Sequence, residues 1–200
     1  MSYKKKVLTF GKFVLKSKRI SPYFFNSGIL CAGKDIFEIG LIYAKAIINS
    51  NIQFDVLFGS AYKGIPIVVA TSIALKNKYN VNIPYCFNRK EQKKHGEKGF
   101  LIGEKIKNKK IIILDDVVTS GASIKQAIEI IKNEKSKIVS IFVLLDREEK
   151  KISINRHEKE KYKINSIIKI NEFISYVLKI EELKKYGKKI IEYQEKYNFY

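Results

Sequence analysis

The sequence predicts an α/β fold in which a central, mostly parallel sheet is flanked by helices. Three stretches carry that prediction. Ile111 to Leu114 is a short, wholly apolar, mostly β-branched run, as in a strand covered on both faces, and helical spacing follows at Ile124, Ala127, Ile128 and Ile131. Val56 to Phe58 is a second buried-strand candidate, ahead of a helix from Pro66 to about Leu75 whose proline suits the first turn. Lys137 to Leu145 is a third apolar run. Strands alternating with helices build parallel sheets, and the carboxyl ends of such strands are where ligands bind. At 200 residues the chain is one domain, or one with a subdomain, and buries a sizeable core.

Taken in order, the chain first offers a hairpin. Phe13 to Lys16 alternates weakly, Lys18-Arg19 suits a turn, and Tyr23-Phe24-Phe25 reads as a strand after Pro22. From composition alone its aromatics could simply face a core. Gly28 to Lys34 has the Gly-x4-Gly-Lys spacing of a P-loop, but Asp35 stands where a Ser or Thr would ligate magnesium, and its charge would oppose nucleotide phosphates. That argues against a nucleoside triphosphatase and favours a turn at Gly33, with Asp35 capping a helix whose apolar face holds Ile36, Ile39, Ala44, Ile47 and Ile48.

After Val56 to Phe58 comes the glycine-flanked turn Gly59 to Gly64, which carries Tyr62 and Lys63. Its backbone N–H groups and one ammonium can approach an anion. A short strand near Tyr85 to Phe87 leads into Arg89 to Gly99, a polar, basic run with little to bury, read as a mobile loop that is either solvated or catalytic.

The central stretch holds the densest chemistry. Asp115 and Asp116 close the apolar run, Val117 and Val118 follow, and Thr119-Ser120-Gly121-Ala122-Ser123 is a small, hydroxyl-rich turn at a helix start. Ser123 with Gln126 has capping-box spacing. Such a turn and the adjoining helix N-terminus form a cup for phosphate, with two carboxylates beside it to accept hydrogen bonds from vicinal hydroxyls. A ribose 5-phosphate satisfies both. The third strand ends at Asp146-Arg147, where a guanidinium can pair with a carboxylate. Lys150 to Lys163 is charge-mixed and without visible chemistry, Ile164 to Ile170 suggests one more strand, and Glu181 to Tyr193 an amphipathic helix.

Composition narrows the function. The chain carries 39 Lys and Arg against 20 Asp and Glu, a formal charge of +19, but the basic residues are spread along its whole length rather than gathered into one arm. This favours anionic small molecules over nucleic acid. The two cysteines, Cys31 and Cys86, have no metal-site or disulfide spacing, so a reducing, cytoplasmic setting is expected. No run reaches membrane-spanning length, so no membrane partner is expected.

Five motifs resemble those of orotate phosphoribosyltransferases. Ile111 to Gly121 is similar to the phosphoribosyl pyrophosphate motif of type I phosphoribosyltransferases, and Gly59-Ser-Ala-Tyr-Lys-Gly64 to their pyrophosphate loop. Leu15-Lys-Ser-x-Arg-x-Ser-Pro-Tyr-Phe-Phe-Asn26 resembles the family's N-terminal hood segment, Arg89-Lys-x-x-Lys-x-His-Gly96 its flexible catalytic loop, and Leu145-Asp-Arg147 its orotate-binding arginine.

The resemblance implies a type I phosphoribosyltransferase fold in a single domain over residues 1–200, with a hood of approximately residues 1–35 plus C-terminal elements and a core of approximately 36–150. It implies transfer of the 5-phosphoribosyl group from phosphoribosyl pyrophosphate to orotate, giving orotidine 5′-monophosphate and pyrophosphate. Lys93, His95, Asp115 and Asp116 are the implied catalytic residues. Phosphoribosyl pyrophosphate would be bound by those four with Tyr62, Lys63, Arg89, Lys90 and Val117 to Ser123. Orotate would be bound by Lys16, Phe24, Phe25, Thr119 and Arg147. Magnesium is implied as a companion of the phosphoribosyl pyrophosphate, with no certain protein ligand, and a homodimer with shared active sites is the implied assembly. Two rivals stand beside this reading: transfer to a purine or uracil, and a non-enzymatic regulator on the same fold.

Overall fold

The computed structural model describes residues 7–15, 18–93, 99–118, 121–148, 161–162 and 164–197. In chain order these form β1 (Leu8–Val14), β2 (Ile20–Phe25), α1 (Gly33–Asn49), β3 (Val56–Gly59), α2 (Gly64–Tyr79), β4 (Tyr85–Lys93) and β5 (Gly99–Gly103). There follow β6 (Lys110–Val118), α3 (Ala122–Asn133), β7 (Lys137–Asp146), β8 (Ile164–Lys169), α4 (Ile170–Val177) and α5 (Lys184–Tyr197). One sheet has the order β5-β4-β3-β6-β7-β8; only the edge pair β4 and β5 is antiparallel. β1 and β2 pair separately as an antiparallel hairpin.

The period of two along the strands sorts the core into two faces. Leu57, Ile112, Leu114, Phe142 and Leu144 join one apolar cluster with α1, α2, α4, α5 and the hairpin. Val56, Phe58, Ile111, Ile113, Ile141 and Val143 join the other, with Ile124, Ala127, Ile128 and Ile131 of α3. The two-sided covering expected of Ile111 to Leu114 is therefore what the strand has.

Several expected boundaries move. β6 does not stop at the acids but pairs with β7 through Val118, because Val117 and Val118 continue the run that β7 matches residue for residue. α1 begins at Gly33 with Ala32 as its cap, so Asp35 is a buried first-turn residue rather than the cap. α2 begins two residues before Pro66 and runs to Tyr79, closed by Asn80 in the left-handed region. β4 continues to Lys93 against β5, so the first half of the predicted mobile loop is strand. The hairpin's first strand starts at Leu8, with an irregularity between Phe10 and Phe13. Ile170–Val177 is a helix that the sequence reading did not anticipate.

α1 and α2 cross at Gly40, where an added Cβ would lie 2.5 Å from the Ala70 carbonyl oxygen and 2.7 Å from its carbon. Alanine at a helix interior gains up to about 1 kcal/mol in propensity, but overpacking against backbone costs about 1–3 kcal/mol. Gly40→Ala therefore destabilises the fold, seen as a lower urea midpoint at an unchanged denaturant slope; an equal or higher midpoint would mean that the helices separate freely.

Candidate active site

Strand alternation places the two acids on opposite faces of β6. Asp115 turns toward α3: its Oδ2 accepts from Ser123 Oγ at 2.8 Å and its Oδ1 from the Asp116 N–H at 3.0 Å. Asp116 turns toward the hairpin side, and its Oδ2 accepts from Ser27 Oγ at 2.6 Å and pairs with Lys63 Nζ at 3.0 Å. Both carboxylates are buried. Tyr43, wholly buried on α1, donates to the Asp115 carbonyl at 2.7 Å. Burial, then the charges of Asp116 and Asp115, hold its phenol well above the usual range, so it stays a donor.

The expected capping box at Ser123 is not made. The helix cap is Gly121, at φ 73°, and Ser123 spends its hydroxyl on Asp115. Glycine suits that position because the left-handed turn penalises a Cβ. The N–H groups of α3's first turn stay without helical acceptors, as a phosphate cup requires.

The pyrophosphate candidates meet the acids from the other side. Gly59 and Gly64 flank the Tyr62-Lys63 turn, and a Cβ on Gly64 would lie 2.8 Å from the Leu114 carbonyl oxygen, so the turn rests directly on β6. The Ala61 N–H donates to Asn88 Oδ1 at 3.0 Å, which ties the turn to β4. Lys90 Nζ stands 4.4 Å from the centroid of the Tyr62 ring. Arg89 is half-buried one residue earlier on β4. Tyr62, Lys63, Lys90 and Asp116 are thus brought together.

Among the residues expected to hold the base, Arg147 follows β7 and its N–H reaches the Val118 carbonyl at 3.4 Å. Its guanidinium is buried, with Nε donating to Tyr23 Oη and Nη2 to Ser21 Oγ, both at 3.0 Å, while its carbonyl accepts from Gln194 Nε2. Phe25 packs into the core and Phe24 lies toward solvent, stacked on Phe13. Within the pair, only Phe24 presents an exposed ring. Lys16, His95, Thr119 and Ser120 lie outside the described residues, and Lys93 ends β4.

Ser27, Tyr43, Asn88, Ser21, Tyr23 and Gln194 were not singled out from sequence. Tyr43 could have been: it lies four residues from both Ile39 and Ile47 on the apolar face of α1. Ser27 gave no local signal, since its partner is 89 positions away. The assembled groups can hold a phosphate at α3, a second anion at Lys63 and Lys90, and hydroxyls at the carboxylates between them.

A family model described as the phosphoribosyl transferase domain matches residues 33–178. The chain is 68% identical over 151 residues to an orotate phosphoribosyltransferase of Buchnera aphidicola subsp. Acyrthosiphon pisum (strain Tuc7), covering 76% of this chain and 71% of that protein. It is 49% identical over 146 residues to one from Shewanella oneidensis, covering 73% and 67%. The crystal structure of a Francisella tularensis orotate phosphoribosyltransferase superposes with a TM-score of 0.83 at 35% identity, over 99% of this chain and 94% of that one.

The acids also set a pH dependence. Burial, then the charge of Asp116, pushes the Asp115 carboxyl from 3.8 up to about 7, with the Ser123 hydroxyl pulling the other way. Between those values the folded chain keeps a proton that the unfolded chain has lost, so this group's contribution to stability falls as pH rises through the window and levels off above it. The melting temperature of the unliganded protein therefore drops between about pH 4 and 7 and levels off above, and Asp115→Asn flattens the drop. Parallel pH profiles for the two proteins would refute a proton held at Asp115.

Proposed function

This chain belongs to the orotate phosphoribosyltransferase family, and we propose that the cluster at the ends of β3, β6 and β7 is where it transfers a phosphoribosyl group from phosphoribosyl pyrophosphate to orotate. The observation that carries the reading is the meeting of Lys63 and Asp116 at one carboxylate oxygen, 3.0 Å apart, next in the chain to Asp115, whose carboxylate takes the Ser123 hydroxyl at the start of α3. A pyrophosphate ligand and a ribose ligand would need those two groups side by side.

The 5-phosphate sits over the first turn of α3, beside Gly121 to Ser123. Asp115 and Asp116 are the carboxylates at hand for the ribose hydroxyls. Exchange is easiest at Asp116, because Lys63 is 45% exposed and can swing from the carboxylate to the pyrophosphate. The bond from the anomeric carbon to the pyrophosphate oxygen then breaks and one to the orotate ring nitrogen forms, with loss of that nitrogen's proton. Positive charge grows on the sugar and negative charge on the leaving group. Lys63, Arg89 and Lys90, with Lys93 and His95 from the loop, oppose the latter.

Magnesium enters this proposal as a companion of the substrate. Among the described residues no three His, Cys, Asp or Glu converge, and the acids at hand already accept internal donors, so the ion would ride on the substrate's own oxygens and neutralise charge there. Arg147, held by Tyr23 and Ser21, is the cation for the orotate carboxylate, and Lys16 and Phe24 complete that side. A cytoplasmic setting and small-molecule partners alone belong to the same reading; no helix among the described residues is long and apolar enough to cross a membrane.

The first test is direct: orotate with magnesium and phosphoribosyl pyrophosphate yields orotidine 5′-monophosphate and pyrophosphate, while uracil and purine bases yield neither at comparable rates. Turnover of a purine or uracil instead of orotate would remove the assignment.

The reading includes a homodimer in which each catalytic loop serves the neighbouring site, as the loop's resemblance implies. Lys93→Ala and Asp116→Asn, each nearly inactive alone, are mixed equally and allowed to exchange subunits. Roughly half of the dimers are hybrids with one intact site, so activity returns to about a quarter of wild type. No recovery after confirmed exchange places loop and acids in one subunit's site.

A further inference from the structure

Ser27 lies in the 3-10 turn Ser27–Ile29 directly after β2, and its hydroxyl donates to Asp116 Oδ2 at 2.6 Å, across 89 positions of sequence. Its surroundings hold it there. The Asn26 N–H donates to the Val7 carbonyl, the Asn26 side chain accepts from the Gly28 N–H, and the Leu30 N–H donates to the Ser27 carbonyl. Ser27 is buried, with one short side-chain torsion, whereas the other donor on the same oxygen is a half-exposed lysine at the end of four methylenes.

We propose that Ser27 is a positioning residue for phosphoribosyl pyrophosphate, acting through Asp116. The inference rests on the reading in which Lys63 leaves Asp116 for the pyrophosphate. When it does, the carboxylate loses one of its two donors just as it must face a ribose hydroxyl. The serine cannot follow the pyrophosphate, so it keeps Asp116 in one rotamer and supplies a donor to its charge at that moment. Because Ser27 follows Phe24 and Phe25 on the same segment, it also fixes the distance between the base-side aromatics and the ribose-side acid. The groups on the Asp116 carboxylate are Ser27 from the hairpin side and Lys63 from the turn before α2, and its charge is felt by Asp115 and by the Tyr43 phenol.

The test compares Ser27→Ala, Ser27→Cys and Ser27→Thr by titration calorimetry with magnesium and phosphoribosyl pyrophosphate, and by steady-state kinetics. Loss of a hydrogen bond to a charged group predicts a dissociation constant raised on the order of ten-fold for Ala and Cys. The KM for phosphoribosyl pyrophosphate rises in step, the KM for orotate stays within about two-fold, and Thr, which keeps the hydroxyl, remains close to wild type. A merely structural serine would move both KM values together. Cys is nearly isosteric with Ser and supplies the result if Ala does not fold. Wild-type affinity in Ala or Cys, or a Thr variant as weak as Ala, overturns the inference alone. A wild-type protein that does not bind phosphoribosyl pyrophosphate removes both the functional reading and the inference.

Discussion

The close approach of Gly59 and Gly64 is the constraint on which the rest of the site depends. A Cβ on Gly59 would stand 2.5 Å from the Gly64 carbonyl oxygen and 2.8 Å from a Val68 methyl, and one on Gly64 would meet the Leu114 carbonyl oxygen of β6. With no side chain at either position, β3, the start of α2 and the middle of β6 stack backbone on backbone. The four residues between the glycines then have nowhere to go but over the strand ends. That is what delivers Lys63 to Asp116 and lets the Ala61 N–H find Asn88. A wider turn would leave the lysine in solvent and the carboxylate without a cation.

Around that turn, electrostatics and burial pull in different directions. Two adjacent carboxylates inside a protein repel each other and lose hydration, and both effects act on Asp115. Strand geometry relieves part of this by sending the two side chains to opposite faces, where each finds its own donors: Ser123 for one, Ser27 and Lys63 for the other. Lys63, half-exposed, can leave Asp116 for a substrate's anionic groups while the buried Ser27 stays, so the unliganded carboxylate is held ready by one donor that gives way and one that does not.

Much of the fold was legible because its signals are local. The apolar runs at Ile111, Val56 and Ile138 announced parallel strands, and the spacing at Ile124 to Ile131 announced α3. Boundaries were less legible where pairing rather than composition decides them. Val117 and Val118 stay in the sheet because β7 is long enough to match them, and Arg89 to Lys93 are strand because β5 returns alongside. Ser123 misled for a related reason: its spacing to Gln126 is a local signal, but a buried carboxylate nearby is the stronger acceptor. Motif spacing picked out Tyr62, Lys63, Lys90 and Asp116, which the fold brings together, whereas Ser27, Ser21 and Tyr23 acquire meaning only from partners about ninety to more than a hundred positions away. Distance in sequence hides such pairs from any reading by spacing.

Gln194 ties the Arg147 carbonyl to α5, and Tyr193 of the same helix meets the Tyr23 ring edge-on at 6.4 Å. The arginine's clamp therefore draws on β2, β7 and α5, three parts of the molecule made far apart in time on a ribosome. By the time residue 147 has been made, Lys63, Asp115, Asp116 and Ser123 are already in the nascent chain, while the clamp still lacks Gln194 and Tyr193. The cluster around Lys63 and the two acids is thus made first, and the arginine's clamp is complete only after α5 is free to dock.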